Sequence, residues 1–341
     1  SCKSARKELM NILNNTNPQY SFIDLFCGCG GFTLGMLRSG FRCLAAVDFD
    51  PHAVETLHSN LPEVEHVLQR DMTKFSPEEL AGTIRTTQID VIVGGPPCQG
   101  FSSARKRDGA NHGERIKEDP RRLLYKDFLR FISFFRPKVF VMENVLGIKS
   151  AAGGRYYAQV QAEARLIGYR VHGQVEDAYA LGVPQKRRRQ LIIGTRIDIP
   201  NYFPSQLNSA PRAIPFTNLG AAICDLPKLQ AGCGENECDY DHAQRAKAIS
   251  SGDNTVSNYL FNVLEIDKSD KLFNHVARPH NARDLGDFAK LKEGESSAVA
   301  MRDHGVEFDF PYDKENFKDR YTRQSRFKPC STIVAHLSKD G

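Results

Sequence analysis

The sequence predicts a doubly wound α/β domain followed by a smaller, irregular one. Three observations carry this expectation. Short apolar runs alternate with amphipathic stretches over roughly the first 200 residues, a glycine-rich turn follows the first run, and periodicity fades beyond Pro200. Strand–helix alternation at this density builds a mostly parallel sheet with helices on both faces.

Composition sets the outer limits. The chain has 341 residues, enough for two domains of about 150 residues each. With 40% hydrophobic and 26% charged residues it can bury a core without staples, which excludes disorder and the small disulfide scaffolds. No uncharged apolar run approaches the ~20 residues of a membrane helix. The N-terminal SCKSARKELM is polar, with no apolar core of a secretion signal. Nine scattered cysteines fit a reducing compartment. A net charge of +5 is compatible with a polyanionic partner.

The elements follow in order. Runs at 21–26, 43–48, 66–70, 90–93, 138–142, 169–175 and 191–194 are rich in Val, Ile, Leu and Phe, as buried parallel strands are. Between them, 32–39 follows the glycine turn, 52–60 follows an Asp-Pro start, and Ser76 supplies an N-cap for 77–86. Over 121–135, Leu124, Phe128, Phe131, Ile132 and Phe135 recur at helical spacing, which predicts one face on the sheet. From about residue 201 to 325, scattered Asn, Asp, Gly and Pro predict an irregular second domain, after 1–200. The end, 330–336, again reads as a strand, so 326–341 is expected to return to the first domain.

Five segments carry candidate chemistry. Asp24-Leu-Phe-Cys-Gly-Cys-Gly-Gly31 runs a strand into a glycine turn and a helix, the place where open α/β sheets bind ligands. The dinucleotide fingerprint G-x-G-x-x-G fails, because Gly28 and Gly30 are followed by Thr33. That favours a nucleotide-like ligand without a pyrophosphate; the alternative is a plain structural turn. Asp48 and Phe49 end the next strand, where an acid can bind ribose hydroxyls and a ring can stack on a purine. Asp71 follows the third strand and can accept from an exocyclic amine. Each alone could be an ordinary strand-end residue, but together they form a pattern on successive strands.

Asp90-Val-Ile-Val-Gly-Gly-Pro-Pro-Cys-Gln-Gly-Phe-Ser102 is a buried strand ending in a stiff turn that presents Cys98. Buried cysteines are usually small hydrophobes, but one on a Pro-Pro turn at a strand end is a candidate nucleophile. Cys2, Cys43, Cys224 and Cys330 lack that context and read as structural. Met142-Glu-Asn-Val145 brings Glu143 to another strand end, as a general acid or as a surface carboxylate. In Val183-Pro-Gln-Lys-Arg-Arg-Arg189 four consecutive cations abut a core strand and need an anionic neighbour or solvent. Cys233, Cys238 and His242 are too loosely spaced for zinc, so no metal is expected.

Taken in order, DLFCGCGG, GGPPCQGFS, MENV and PQKRRR resemble the cytosine-C5 DNA methyltransferase family of the bacterial modification type. The resemblance is dense over about residues 20–200 and returns at Ser331-Thr-Ile333, which is similar to the strand after the family's target-recognition domain. It implies S-adenosylmethionine as cofactor. Asp24, Phe26, Gly28 and Gly30 match its turn, Asp48 falls where the family usually has Glu on the ribose, Phe49 lies by the adenine, Asp71 matches the acid near its amino group, and Leu124 an apolar contact. It implies Cys98 as the nucleophile adding to cytosine C6 and Glu143 as the acid at N3 and the 4-amino group. Arg187 and Arg189 match the family's Gln-x-Arg-x-Arg motif, with Arg189 reaching the cytosine O2.

The resemblance also implies double-stranded DNA as partner, with the target base flipped out of the duplex. Segment 99–122 has seven Lys/Arg against four Asp/Glu and matches the loop that closes over DNA; Gln99, Ser102, Arg105 and Arg121 are the expected contacts. Region 201–325 corresponds to the target-recognition domain. A monomer in the bacterial cytoplasm, accompanied in many such systems by a cognate restriction endonuclease, completes the expectation. The family's closing helix and Gly-Asn segment are not found before Gly341, so the C-terminal motifs are expected to be lacking. A tRNA cytosine-5 methyltransferase is a second reading, though its Cys-Phe-Thr signature is absent. A catalytically silent DNA-binding regulator is a third, yet Cys98 and Glu143 are both present.

Overall fold

The computed structural model describes residues 20–97, 123–198, 217–251, 256, 259–260, 264, 270–311 and 321–333. Seven strands form one sheet: β1 (Ser21–Leu25), β2 (Arg42–Asp48), β3 (Val67–Gln69), β4 (Val91–Gly94), β5 (Val139–Asn144), β6 (Tyr169–Asp177) and β7 (Arg188–Arg196). Their order is β3-β2-β1-β4-β5-β7-β6, so all seven expected strands are present. The order reverses between β1 and β4, the switch point beside which doubly wound sheets bind ligands.

β1 to β5 are mutually parallel. Leu25 aligns with Val47 on β2 and Gly94 on β4, and Gly94 aligns with Met142 on β5. The next residues, Phe26, Asp48, Gly95 and Glu143, therefore emerge on one carboxyl edge. A side chain at Gly94 would overlap the Leu25 carbonyl oxygen and press on the Phe128 ring, so only glycine permits this approach.

The mostly parallel sheet departs from parallel pairing at β7, which runs antiparallel to β5. The cause is the short connection 178–187 from β6. A parallel return needs a crossover of about a dozen residues or more, usually with a helix, and this segment holds only a single 3-10 turn, Ala178–Leu181.

Helices α1 (Gly31–Arg38), α2 (Pro51–Asn60), α3 (Pro77–Ile84), α4 (Leu124–Phe135) and α5 (Arg155–Leu166) flank the sheet strands in sequence. Asp50 caps α2 by accepting from the His52 and Ala53 amides, and Ser76 and Glu79 close a capping box on α3. One sheet face packs Ile23, Leu25, Ile92 and Phe140 against Phe128, Phe131 and Ile132 of α4. The other packs Phe22, Ala46 and Val93 against Leu57 of α2. α5 has no counterpart among the expected helices. Only Val160 and Ala164 of it are fully buried, so its RYYAQVQAEARL carries a weak apolar stripe.

Backbone contacts divide the chain into two compact units, Ser1–Glu176 with Arg188–Ser209, and Asp177–Arg187 with Ala210–Gly341. The second is more regular than its composition suggests. It contains α6 (Leu219–Ile223), α7 (His242–Ser250), α8 (Ala282–Ala289), α9 (Ser297–His304) and an antiparallel ribbon of β8 (Gly234–Asp239) and β9 (Lys271–Val276). Asn218, Asn281 and Ser296 cap α6, α8 and α9. Leu291, Ala300, Phe308 and Phe310 form a small core, and a buried Asp225–Arg245 pair at 2.6 Å ties α7 to the α6 end. The expected strand 330–336 is reduced to a single bridge from Cys330 to Gln185, with 334–336 outside the described residues. Pro184 and Pro329 lack amide donors on either side, which stops a ladder from growing. Among the described residues no helix is long and apolar enough to cross a membrane.

Two glycine substitutions separate close approach from mere chain flexibility. Gly94→Ala is expected to unfold the chain or lower its Tm by several degrees. Gly82→Ala, on α3 with open space around it, is expected to raise stability by about 0.5–1 kcal/mol. Thermal melts of both variants check the contrast; a silent Gly94→Ala would contradict the packing described.

Candidate active site

The turn after β1 is built by unusual backbone angles. Phe26, a non-glycine, sits at φ 60°, and Gly30 at φ 90° has Leu57 Cγ only 3.0 Å from where a Cβ would stand. Such conformations persist only where surrounding structure imposes them. Cys27 N–H donates to Val47 O at 3.1 Å, and Gly28 N–H donates to Asp48 Oδ2 at 2.7 Å. Asp48 Oδ1 accepts from Asp50 N–H at 2.9 Å, so one carboxylate stitches the β1 turn to the end of β2.

Asp24 lies under this turn, fully buried. Its Oδ2 accepts from Thr33 Oγ1 at 2.6 Å, while Oδ1 is buried with no hydrogen-bond partner. Burial pushes its pKa up to about 7, and the Thr33 hydrogen bonds only partly oppose this. Thr33, the residue that spoils the dinucleotide fingerprint, is thus a working part of the turn. Phe49 is 68% exposed beyond β2. Asp71 Oδ1 accepts from the Thr73 amide at 3.0 Å and hydroxyl at 2.7 Å, and those bonds hold its pKa below the usual carboxylate range.

On the far side of β4, Glu143 is the penultimate residue of β5. Its Oε1 pairs with Arg189 Nε of β7 at 2.8 Å, both side chains being less than one-third exposed. Its Oε2 lies 3.2 Å from where a Cβ on Gly95 would stand, so it faces the Gly-Pro-Pro turn. Asn144, buried beside it, donates from Nδ2 to Pro96 O at 3.3 Å and accepts from the Val145 amide at 2.9 Å. Within the cationic run, Arg189 has found the anionic neighbour its sequence context demands.

The carboxyl edge thus gathers Asp24, Phe26, Gly28, Gly30 and Asp48 around one turn and Glu143 with Arg189 around another, while Asp71 stands in a separate turn after β3. Leu124 is half-buried at the first position of α4, on a helix rather than a strand end. Arg187 falls in the second unit, where its amide donates to Asp177 Oδ1 at 3.2 Å. Cys98, Gln99, Ser102, Arg105 and Arg121 lie outside the described residues. Of the other cysteines, Cys43 and Cys330 are buried and Cys224 half-buried, while Cys233 is exposed.

The model of the C-5 cytosine-specific DNA methylases matches residues 20–317. The chain belongs to that family. Membership makes methylation of DNA cytosine at C5 its chemistry, in agreement with the resemblance drawn from the motifs. Type II methyltransferase M.DdeI of Desulfomicrobium norvegicum is 36% identical over 329 residues, covering 94% of this chain and 73% of that protein. Type II methyltransferase M1.HphI of Haemophilus parahaemolyticus is 39% identical over 222 residues, but the match spans 65% of this chain and 56% of that protein. In fold, the chain resembles the crystal structure of a protein described as a DNA modification methyltransferase encoded within an E. coli prophage. That match has a TM-score of 0.66 at 24% identity and covers 93% of this chain and 82% of that one.

The donor set at the first turn suits a cationic nucleoside. Asp24 and Asp48 stand at it, and Asp24 keeps an orphaned buried oxygen. A pyrophosphate would be repelled here; a sulfonium, an ammonium and ribose hydroxyls would not.

The raised pKa of Asp24 sets a pH dependence. The folded chain holds this proton between about pH 4 and 7, whereas the unfolded chain releases it. The unliganded protein therefore loses stability as pH rises through that window, roughly 2–3 kcal/mol between pH 5 and 8 from this group. Asp24→Asn is expected to flatten that slope, as measured by denaturant unfolding at each pH, and to weaken binding of S-adenosylmethionine at pH 8.

Proposed function

We propose that the chain methylates duplex DNA with S-adenosylmethionine, holding the cofactor at the β1 turn and the target cytosine between the Pro96-Pro97 turn and Glu143. The observation that carries this reading is the Glu143–Arg189 pair at 2.8 Å, whose second carboxylate oxygen faces the turn that leads into Cys98.

The chemistry assigns work to each group. Cytosine C5 is a poor nucleophile. Addition of the Cys98 thiolate to C6 forms an S–C6 bond and moves the C5=C6 electron pair onto C5, which can then accept an alkyl group. S-adenosylmethionine, when bound, supplies an electrophilic methyl on a sulfonium. Glu143 holds N3 and the 4-amino group as charge spreads into the ring, and Arg189 fixes the Glu143 carboxylate while its guanidinium faces the O2 side. Loss of the C5 proton and cleavage of the C6–S bond restore the aromatic ring and free the thiolate. Asp48 would meet the ribose hydroxyls, Phe49 the adenine face, Asp71 the adenine amino group and Leu124 an apolar edge. Arg187 is assigned to the same motif from the second unit.

Duplex DNA is the substrate this reading favours, with segment 99–122 supplying phosphate contacts through Arg105 and Arg121 and base-side contacts through Gln99 and Ser102. Region 201–325 is assigned to target recognition. The named relatives are Type II methyltransferases, so a bacterial restriction–modification setting, with a cognate endonuclease, fits the chain.

Methyl transfer from labelled cofactor decides the matter. Cys98→Ala is expected to abolish labelling of duplex DNA and the covalent complex with 5-fluorocytosine DNA. Glu143→Gln is expected to lower kcat by roughly 10²–10⁴-fold with the complex slowed rather than lost. Label appearing on tRNA and not on DNA would overturn the proposed substrate.

A further inference from the structure

We propose that Arg130 of α4 is a positioning residue for Asp71, and through it for the recognition of the cofactor's adenine. This rests on the assignment of Asp71 made above.

Asp71 sits on a short segment with no ladder of its own. β3 ends at Gln69, and α3 begins at Pro77. The segment between folds as a tight turn in which the Lys74 and Phe75 amides both donate to Asp71 O at 2.9 Å. The carbonyls of such a turn point away from it and need outside donors. Arg130 provides one. Its Nη2 donates to Met72 O at 2.6 Å and to Phe75 O at 3.1 Å. Arg130 is 58 residues from Met72 in sequence, so this is a tertiary clamp and not a local cap. Arg130 is in turn held on its own helix by Asp127 Oδ1 at 3.2 Å.

The clamp is reinforced by packing. Met72 and Phe75 are buried, and the Phe75 ring contacts Phe131, the neighbour of Arg130, at 6.1 Å between centroids. Inside the turn, Thr73 occupies Asp71 Oδ1, and Oδ2 has Lys74 Nζ 3.9 Å away. The orientation of the Asp71 carboxylate therefore follows the orientation of the turn, and the turn is fixed from α4. A charge effect acts in the same direction. Asp127 and Asp71 feel one another's negative charge, and the Arg130 guanidinium beside Asp127 offsets that repulsion. The same helix opens with Leu124, so one rigid element sets two of the proposed adenine contacts. Arg130 touches neither cofactor nor DNA in this account.

Steady-state kinetics of the full chain on duplex DNA tests the idea, using S-adenosylmethionine and its inosine analogue, in which a carbonyl oxygen replaces the 6-amino group. Asp71→Asn is expected to raise KM for S-adenosylmethionine and to relax its preference over the analogue. Arg130→Gln is expected to raise that KM about 10-fold, the loss of one charge-assisted hydrogen bond. The preference should relax as well, with kcat and the KM for DNA unchanged. In the Asp71→Asn background, Arg130→Gln should add nothing. Arg130→Lys keeps the charge but not the two-carbonyl reach; it should show the same pattern more weakly, and it serves if the Gln variant does not fold. Multiplicative effects in the double variant, or a change in kcat with KM untouched, would overturn the inference about Arg130. An Asp71→Asn variant with unaltered cofactor preference would instead overturn the assignment of Asp71.

Discussion

The carboxyl edge of the sheet depends on one close contact, that of Gly94 on β4 with the Leu25 carbonyl on β1. It fixes the spacing of the two strands at which the sheet order reverses. From that row the chain leaves β1 into the glycine turn and leaves β4 into the Pro96-Pro97 turn. Asp48 reaches across to Gly28 on one side, and Asn144 reaches across to Pro96 on the other. Both turns are therefore anchored to neighbouring strands by buried or half-buried side chains, in addition to the restraint of their own Gly and Pro residues. Such support is what a site needs if its groups are to be held within a fraction of an ångström.

Much of this was legible in the residues. Buried parallel strands announce themselves as continuous apolar runs, and the seven runs became seven strands. The turns were legible because Gly and Pro restrict or release the backbone in ways a sequence displays. What the residues could not show was pairing at a distance. Nothing local marks Arg189 as the partner of Glu143, 46 positions away, because β7 reaches β5 only by returning antiparallel. α5 escaped notice for a different reason. It fully buries only Val160 and Ala164, with Tyr156 and Tyr157 half-buried beside them, so its apolar stripe was too narrow to read. In the second unit, capping residues Asn218, Asn281 and Ser296 were signals available in the sequence, but the helices they start are only 5 to 8 residues long. Helices so short take their stability from tertiary packing rather than from propensity.

Thr33 shows how one residue can be read two ways. As the third position of a failed G-x-G-x-x-G it argues against a dinucleotide. In the fold its hydroxyl donates to Asp24 under the turn. A glycine at that position would remove the hydroxyl and leave the fully buried acid only the backbone hydrogen bond from residue 33, a cost of about 1–3 kcal/mol. The departure from the fingerprint and the presence of the acid are thus one feature. A turn that carries a buried carboxylate requires a hydroxyl where a pyrophosphate-binding turn requires close helix packing.

The distribution of charge follows the same logic. The net charge of +5 is small, yet Asp24 and Asp48 meet at the first turn, while segment 99–122 alone carries in its sequence an excess of three cations. Beside the Gly-Pro-Pro turn stands the Glu143–Arg189 pair. A carboxylate there without its cation would be costly to bury, and a cation without its carboxylate would favour phosphate over base. Joined at 2.8 Å, the two present to the turn a hydrogen-bonding edge of little net charge, which is the kind of surface that discriminates one neutral base from another by its donors and acceptors rather than by its charge.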